Sequence, residues 1–382
     1  MGRAEENALK DALGLIKSTW LHRKGNEIPA AVIDTIEALY GTKELKPIIV
    51  KKTKQENGWF FVLHLPPGAS YHDFKKRENF FQDSAGGAVH ISKRGKAVYM
   101  EVMTNELGTI YPFKDWDPKK YEDMYLPLPV GVSPRGEITV DLIELPHVFI
   151  CGETNYGKSN MIHVFILSLL LNRDAYIIVL DFKMAEFAYL EDHVLLIDDI
   201  PRARVALMLL NKILDRRLKQ MKQTRVRKVQ SYLKKGLGMQ LITLVVDELA
   251  EMQDPECQAG IERLARLGRS AGINIIAATQ RPSSTLYNKF GDIKAMFPCR
   301  ICFLVADQVN SNMILDSDRA ALLPAIKGRA IYKWGIDMLE VQAYFVDPDE
   351  EAPALLEGVT GQTREVNHFD DLKSGPKRLP PR

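Results

Sequence analysis

A chain of 382 residues, 46% of them hydrophobic, carries enough apolar material for one large or two smaller packed domains, which excludes an intrinsically disordered protein. Its 51 basic and 49 acidic side chains nearly cancel, so overall charge indicates no polyanionic partner and only a local cluster could do so. Four cysteines make no disulfide framework, the longest apolar run is too short to cross a bilayer, and the N-terminus lacks a signal-peptide pattern, so a cytoplasmic location is expected.

Residues 1–45 read as an N-terminal helical segment. Leu9, Leu13, Ile16 and Trp20 share one face, and Val32, Ile33, Ile36 and Leu39 repeat the spacing in residues 29–40. Residues 46–125 read as a small α+β subdomain. Short β-rich runs at 48–50, 59–65, 89–91 and 97–102 are broken by Pro66-Pro67-Gly68, Gly86-Gly87 and Arg94-Gly95, and a helix is expected over 71–83. A larger α/β domain is assigned to 126–346, introduced by a hairpin over 128–140.

Inside it, an apolar strand at 147–151 and a buried helix at 160–171 flank Gly152-Glu153-Thr154-Asn155-Tyr156-Gly157-Lys158-Ser159, which fits the phosphate-binding pattern G-x-x-x-x-G-K-[ST]. Glycines let the backbone curl so that successive N–H groups face a β-phosphate, and the helix N-terminus adds its partial positive charge. Lys158 is expected to bridge the phosphates of ATP and the Ser159 hydroxyl to ligate Mg²⁺. Strand and helix then alternate: strands at 176–182, 241–246 and 273–278, a long helical region from 202 to about 232, and a helix at 257–270. Such alternation means a mostly parallel sheet covered on both faces. Strands at 300–305, 328–334 and 341–346 extend it, with Cys299 and Cys302 read as buried thiols rather than half of a zinc site. Residues 347–382, low in apolar side chains and rich in proline, are expected to be a flexible tail.

The strand Leu244-Val245-Val246 ends in Asp247-Glu248, about 90 residues beyond the phosphate loop. A strand ending in two carboxylates is common; this spacing suits Asp247 to hold Mg²⁺ through water and Glu248 to polarise an attacking water. Gln280, ending the next strand, is placed to sense the γ-phosphate. Between Arg216 and Lys235 lie nine basic side chains and no acidic one. Such a run on a helix is ordinarily a solvated face; beside an ATPase it suggests a surface for nucleic-acid phosphates, with Arg225, Arg227 and Lys228 at its centre. No base-reading module follows, so binding independent of sequence is implied.

Residues 146–159, Leu180-Asp181-Phe182-Lys183-Met184, 214–217, 245–248, 263–273, Ala278-Thr279-Gln280-Arg281-Pro282, 298–301 and 314–316 resemble, in order and spacing, the motor of the FtsK/SpoIIIE family of DNA translocases. Leu65-Pro66-Pro67-Gly68 and the β-rich segment around it resemble that family's small subdomain. The resemblance implies a RecA-like P-loop NTPase core, a ring of six copies around duplex DNA, and ATP sites at subunit boundaries with an arginine reaching across. Motif position nominates Arg300 for that arginine, with Arg269 in reserve. Asn155-Tyr156 stands where the family's loop has a small Gly-Ser pair. Neither a membrane-spanning N-terminus nor a C-terminal winged helix is recognisable, so the likeness is to the shorter coupling or transfer ATPases of conjugative and mobile elements. That leaves room for membrane or relaxosome partner proteins. The same family includes protein-secretion motors, which supply an alternative reading, and the residues themselves do not separate single- from double-stranded DNA.

Overall fold

A computed structural model describes residues 28–41, 45–55, 58–104, 107–172, 175–183, 186–280, 293–335 and 337–359. The expected helix through Leu9 to Trp20 and the end of the expected tail lie outside these residues. The chain forms two compact units, 1–107 and 108–382.

In the smaller unit, helix α1 (Ile28–Tyr40) and strands β1 (Ile48–Gln55), β2 (Gly58–His64), β3 (Ala88–Arg94) and β4 (Ala97–Met103) build an antiparallel sheet of order β1-β2-β4-β3. One sheet face buries Phe61, Leu63, Ile91, Val98, Met100 and Val102 against Val32 and Ile36 of α1. The single helix expected over 71–83 is instead two, α2 (Tyr71–Lys75) and α3 (Glu78–Ala85). In one straight helix Phe74 and Phe81 would sit two turns, about 10 Å, apart. The break brings their rings to 5.5 Å, so that both fill the same core.

The larger unit is built on a sheet of β5 (Tyr111–Pro112), β6 (Pro127–Ser133), β7 (Gly136–Asp141), β8 (His147–Cys151), β9 (Ala175–Leu180), β10 (Leu195–Ile197), β11 (Leu241–Val246), β12 (Ile273–Thr279), β13 (Cys299–Phe303), β14 (Arg329–Trp334) and β15 (Asp337–Phe345). Its order is β10-β9-β11-β12-β8-β13-β14-β15-β6-β7, with β5 beside β15. The run from β10 to β13 is parallel and the remainder up to β7 antiparallel. Every residue of β8, β9, β11, β12 and β13 is buried, as a parallel sheet with helices on both faces requires. Helix α4 (Lys158–Asn172) covers one face, with Met161, Val164, Phe165 and Leu169 in its core. Helices α5 (Ile200–Gln223) and α7 (Pro255–Leu267) cover the other through Leu207, Leu210, Ile261 and Leu264. All four cysteines are buried and free.

Three segments depart from expectation. Residues 108–125 fall in the larger unit, because β5 pairs with β15 and Phe113 and Trp116 enter its core. The long helix expected to about 232 stops at Gln223 and restarts as α6 (Val229–Lys234). The beginning of the expected tail packs: α10 (Glu351–Leu355) is followed by Leu356, which with Ala352 is buried in the same core. Between these, α8 (Ile293–Met296) and α9 (Gln308–Leu315) flank β13.

Candidate nucleotide site and basic loop

The C-terminal ends of three neighbouring strands meet at one place. β8 runs directly into the phosphate loop, β12 lies between β8 and β11, and the last residues of β12 therefore stand between that loop and Asp247-Glu248. The loop is shaped by close approach. A Cβ on Gly152 would lie 2.5 Å from that of Phe303, and Gly157, at φ +115°, faces Gly328 so closely that a Cβ would come within 3.2 Å. Asn155 adopts φ +69°, a conformation asparagine tolerates better than most residues. The Glu153 N–H donates to Leu304 O (3.0 Å) and the Gly328 N–H to Tyr156 O (2.9 Å), while the Tyr156 side chain packs half-buried on the core.

Lys158, 4% exposed, donates through Nζ to Asp247 Oδ1 (3.0 Å) and to its backbone oxygen (3.1 Å), and Asp247 is itself only 3% exposed. Glu248 is held as well. Its Oε1 accepts from Thr279 Oγ1 (2.6 Å) and its Oε2 from the Gln280 N–H (2.9 Å), while Gln280 Oε1 accepts from Thr154 Oγ1 (3.3 Å). A chain of polar contacts thus runs from the phosphate loop through Gln280 to Glu248. Glu153, Thr154, Asn155, Gly157, Lys158, Ser159, Asp247 and Gln280 line one cleft of about 770 Å³, within the range of small-molecule sites, and Glu248 stands just behind its wall. Gly152 and Tyr156 serve by shaping and pinning the loop.

Ser159 and Asp247 are hard oxygen donors in the same cleft, and no group of three or more metal-binding side chains occurs among the described residues. That donor set suits Mg²⁺, which keeps several waters and binds through one or two protein oxygens plus substrate phosphates.

One participant was missed by sequence reasoning. Glu186, in the connection after β9, lines the cleft with its carboxyl lowered to about 2, chiefly by His163, with the Ser159 hydroxyl and Lys158 adding to the effect against partial burial. His163 Nε2 stands 3.9 Å from Glu186 Oε1, beyond hydrogen-bond length, and its Nδ1 meets the Tyr189 hydroxyl at 2.9 Å. The available signal was spacing: His163 lies four residues after Ser159, on the same helix face.

Arg300, nominated for the arginine that reaches across a subunit boundary, lies within the sheet. It is 8% exposed within β13, its Nη1 3.7 Å from Asp316 Oδ2, beside Lys333 Nζ at 2.9 Å from the same oxygen. Asp316 ends α9 and terminates it in a left-handed conformation. In the single chain the Arg300 guanidinium is enclosed beside Asp316 and Lys333. Arg269 is exposed, beside Pro146 and His147 at the start of β8, the opposite end of the sheet from the phosphate loop.

The basic run divides by role. Arg217 is buried and donates to Ala271 O (2.9 Å) and Gln240 O (2.7 Å), so it is structural. Arg225, Arg227 and Lys228 occupy the connection between α5 and α6 rather than a helix face, and all three are exposed. Val226 between them is buried and donates its N–H to Met221 O (2.9 Å), and Arg225 takes φ +54°. Pinning Val226 inward turns its charged neighbours outward.

Residues 114–241 match the sequence model of the FtsK/SpoIIIE family. This chain carries an FtsK/SpoIIIE core. The DNA translocase FtsK of Clostridium tetani (strain Massachusetts / E88) is 33% identical over 302 residues, covering 72% of this chain and 40% of the relative. That of Chlorobaculum tepidum is 35% identical over 293 residues, covering 69% and 36%. The chain therefore spans 40% or less of the length of these relatives. Among solved structures, the pCW3 conjugation coupling protein TcpA, in its monomer form with ATPγS, superposes with a TM-score of 0.62 at 26% identity, over 87% of this chain and 99% of that one. The cytoplasmic domain of the Thermomonospora curvata type VII secretion ATPase EccC shares the fold, with a TM-score of 0.55 at 20% identity over 68% of this chain and 35% of its own. The FtsK/SpoIIIE core is thus a P-loop ATPase domain, preceded by a separate antiparallel sheet. No helix among its described residues is long and apolar enough to cross a membrane.

Proposed function

We propose that this chain is the subunit of an ATP-driven ring motor that moves DNA without regard to sequence, in conjugative transfer or other handling of mobile-element DNA. The observation that carries this reading is the convergence of Lys158, Asp247 and Gln280 on one cleft, with Glu248 hydrogen-bonded to Gln280 just behind its wall, in a core whose relatives are DNA translocases. The likeness to a conjugation coupling protein across nearly all of that protein's length favours the transfer setting. In this reading the larger unit is the motor, working in the cytoplasm and recruited to the membrane by a partner protein.

Lys158 exchanges its bond to Asp247 for the phosphates of ATP, which frees the Asp247 carboxylate; that carboxylate and the Ser159 hydroxyl would hold Mg²⁺. The ion, when bound, neutralises charge on the phosphate oxygens. Glu248 orients the attacking water once released from Thr279, and Gln280 links the state of the phosphates to Glu248 through its own N–H. Arg225, Arg227 and Lys228 grip the DNA backbone. With Arg300 enclosed, Arg269 becomes the candidate for the arginine that reaches a neighbouring copy in a six-membered ring.

The test is the ATP hydrolysis rate of the full chain alone and with duplex DNA, single-stranded DNA or an unstructured peptide. Stimulation by duplex DNA, falling steeply with salt, is expected. Stimulation by peptide alone refutes the DNA reading in favour of protein secretion. Mixing Arg269→Ala and Lys158→Ala proteins, each defective in a different half of a shared site, should partly restore activity; an Arg269→Ala protein with wild-type turnover removes that residue from the site.

A further inference from the structure

In the smaller unit, β1 stands at an edge of the antiparallel sheet. It pairs with β2 alone, so its other side presents backbone N–H and C=O groups that meet no strand among the described residues. A groove of about 730 Å³ lies between this edge and α1, lined by Ile33 and Ile36 of the helix and by residues 46–52. Three large apolar side chains in its wall stand open to water: Ile33 is 39%, Ile48 58% and Val50 66% exposed. Such residues scattered singly mean little; gathered in one concavity beside an unpaired strand edge they mark a place for another chain.

Strand register gives the groove two unlike ends. Ile49 stands opposite Leu63 and packs half-buried on the core, which turns Ile48 away from it. The ladder then slips, leaving Val50 as the extra residue of a bulge, and resumes with Lys51 opposite Val62, Lys52 opposite Phe61 and Lys54 opposite Trp59. Phe61 is in the core under α1, so Lys52 lies on the helix side of the sheet and Lys51 on the other. β1 is therefore aliphatic through Val50 and basic beyond it. Lys46 is paired with Glu37, whereas Lys51, Lys52 and Lys54 are exposed and meet no carboxylate among the described residues.

Lysines along a sheet edge ordinarily keep other strands away. They exclude a second copy of β1, since antiparallel pairing about its middle sets Lys51 opposite Lys52, and like charges directly opposite destabilise a sheet. They admit a strand of opposite charge. Nucleic-acid phosphates would satisfy the lysines but leave Ile33, Ile48 and Val50 uncovered. A bilayer would cover those three and leave the edge's backbone groups without partners. An extended polypeptide supplies all that the edge lacks: backbone partners, apolar side chains and carboxylates.

We propose that β1 takes up an extended segment of a partner protein as an added strand, its aliphatic end meeting Ile33, Ile48 and Val50 and its acidic end meeting Lys51, Lys52 and Lys54. The site is independent of nucleotide chemistry, so the nucleotide reading stands or falls separately. The test is fluorescence anisotropy of labelled peptides, of the length of β1, titrated with the full chain. One peptide has an aliphatic half and a glutamate half, made in both orders to cover parallel and antiparallel addition. A second has the same residues interspersed, a third has alternate backbone nitrogens methylated, and a fourth has lysine for glutamate. The proteins are wild type, Lys51→Glu/Lys52→Glu, the milder Lys51→Gln/Lys52→Gln, and Ile48→Asn/Val50→Asn. All four side chains are exposed, so the fold should survive, with melting curves as a check.

One order of the first peptide should saturate wild type, with an affinity that falls as salt rises, and the interspersed and methylated peptides should bind about tenfold more weakly or worse. Reversing both lysines should cost about 5-fold or more in affinity, as two cross-strand charge pairs turn from attractive to repulsive, and should gain binding of the lysine peptide. Equal binding of the interspersed or methylated peptide overturns strand addition in favour of loose charge attraction. Undiminished affinity in Lys51→Glu/Lys52→Glu or in Ile48→Asn/Val50→Asn, or no binding in either order, overturns the site. Dimerisation of wild type that Ile48→Asn/Val50→Asn abolishes assigns the edge to a second copy. Duplex DNA that displaces the peptide, and that Lys51→Glu/Lys52→Glu binds as poorly as it binds the peptide, assigns the lysines to nucleic acid instead.

Discussion

Replacing Lys158 by alanine should do more than stop ATP binding; it should destabilise the nucleotide-free protein. The lysine and Asp247 are 4% and 3% exposed and 3.0 Å apart. At an effective dielectric near 20 their attraction is about 5 kcal/mol, but much of that is offset by the cost of taking two charges out of water. Their net worth as a pair is therefore small. Removing one partner is different, because Asp247 remains as an uncompensated buried charge, at a cost of roughly 3–5 kcal/mol. In a unit of this size about 3 kcal/mol corresponds to a melting temperature lower by ~5 °C, measured by calorimetry without nucleotide. The double variant Lys158→Ala/Asp247→Asn should recover most of the loss, since the orphaned charge is gone, yet should still fail to bind ATP. A single variant that melts with wild type, or a double variant no more stable than the single one, would refute the reasoning. Either result would mean that Asp247 is solvated in the empty site.

Glu248→Gln should bind labelled ATP normally while phosphate release falls by about a hundredfold or more, because the amide cannot act on water; loss of binding would make Glu248 structural. Changing Arg225, Arg227 and Lys228 together to glutamine should weaken DNA binding equally across sequences and lower the slope of log affinity against log salt by about 2–3, with basal ATPase intact; an unchanged slope returns the loop to an ordinary solvated surface. Arg217→Gln should act through folding, since its donors serve backbone carbonyls, and a normal melting temperature would contradict that. Burial holds His147 neutral, with its pKa lowered to about 3 while its Nδ1 accepts from the Ile275 N–H. The unfolded chain takes up the proton near pH 6.5, so the stability His147 contributes is complete above that pH and is lost progressively as pH falls toward 3, by about 2 kcal/mol at pH 5. His147→Asn should flatten the decline in melting temperature between pH 7 and 5; an unaltered decline would assign it to other groups.

Local spacing determined much of this protein. The loop from Gly152 to Ser159 requires consecutive residues between a strand and a helix, and apolar runs ending in Asp247-Glu248 or Thr279-Gln280 mark strand ends of a buried parallel sheet, so these features were legible without coordinates. What the charged residues do was not legible, because a charge's role depends on what stands opposite it. Arg300 reads as a free arginine until β13 and the end of α9 bring Asp316 beside it. Arg217, Arg225 and Lys228 read as one basic run until burial of Val226 breaks the helix and separates an internal arginine from an outward loop. Glu186 meets His163 and Ser159 only after the chain has crossed the sheet, and Thr279 meets Glu248 across two strands. The β5–β15 seam joins residues more than 230 positions apart, through hydrogen bonds that any backbone can make. Periodicity and motif spacing encode elements because they act within a few residues; partners of ions, aromatic rings and sheet edges are chosen by packing, which only the tertiary structure decides.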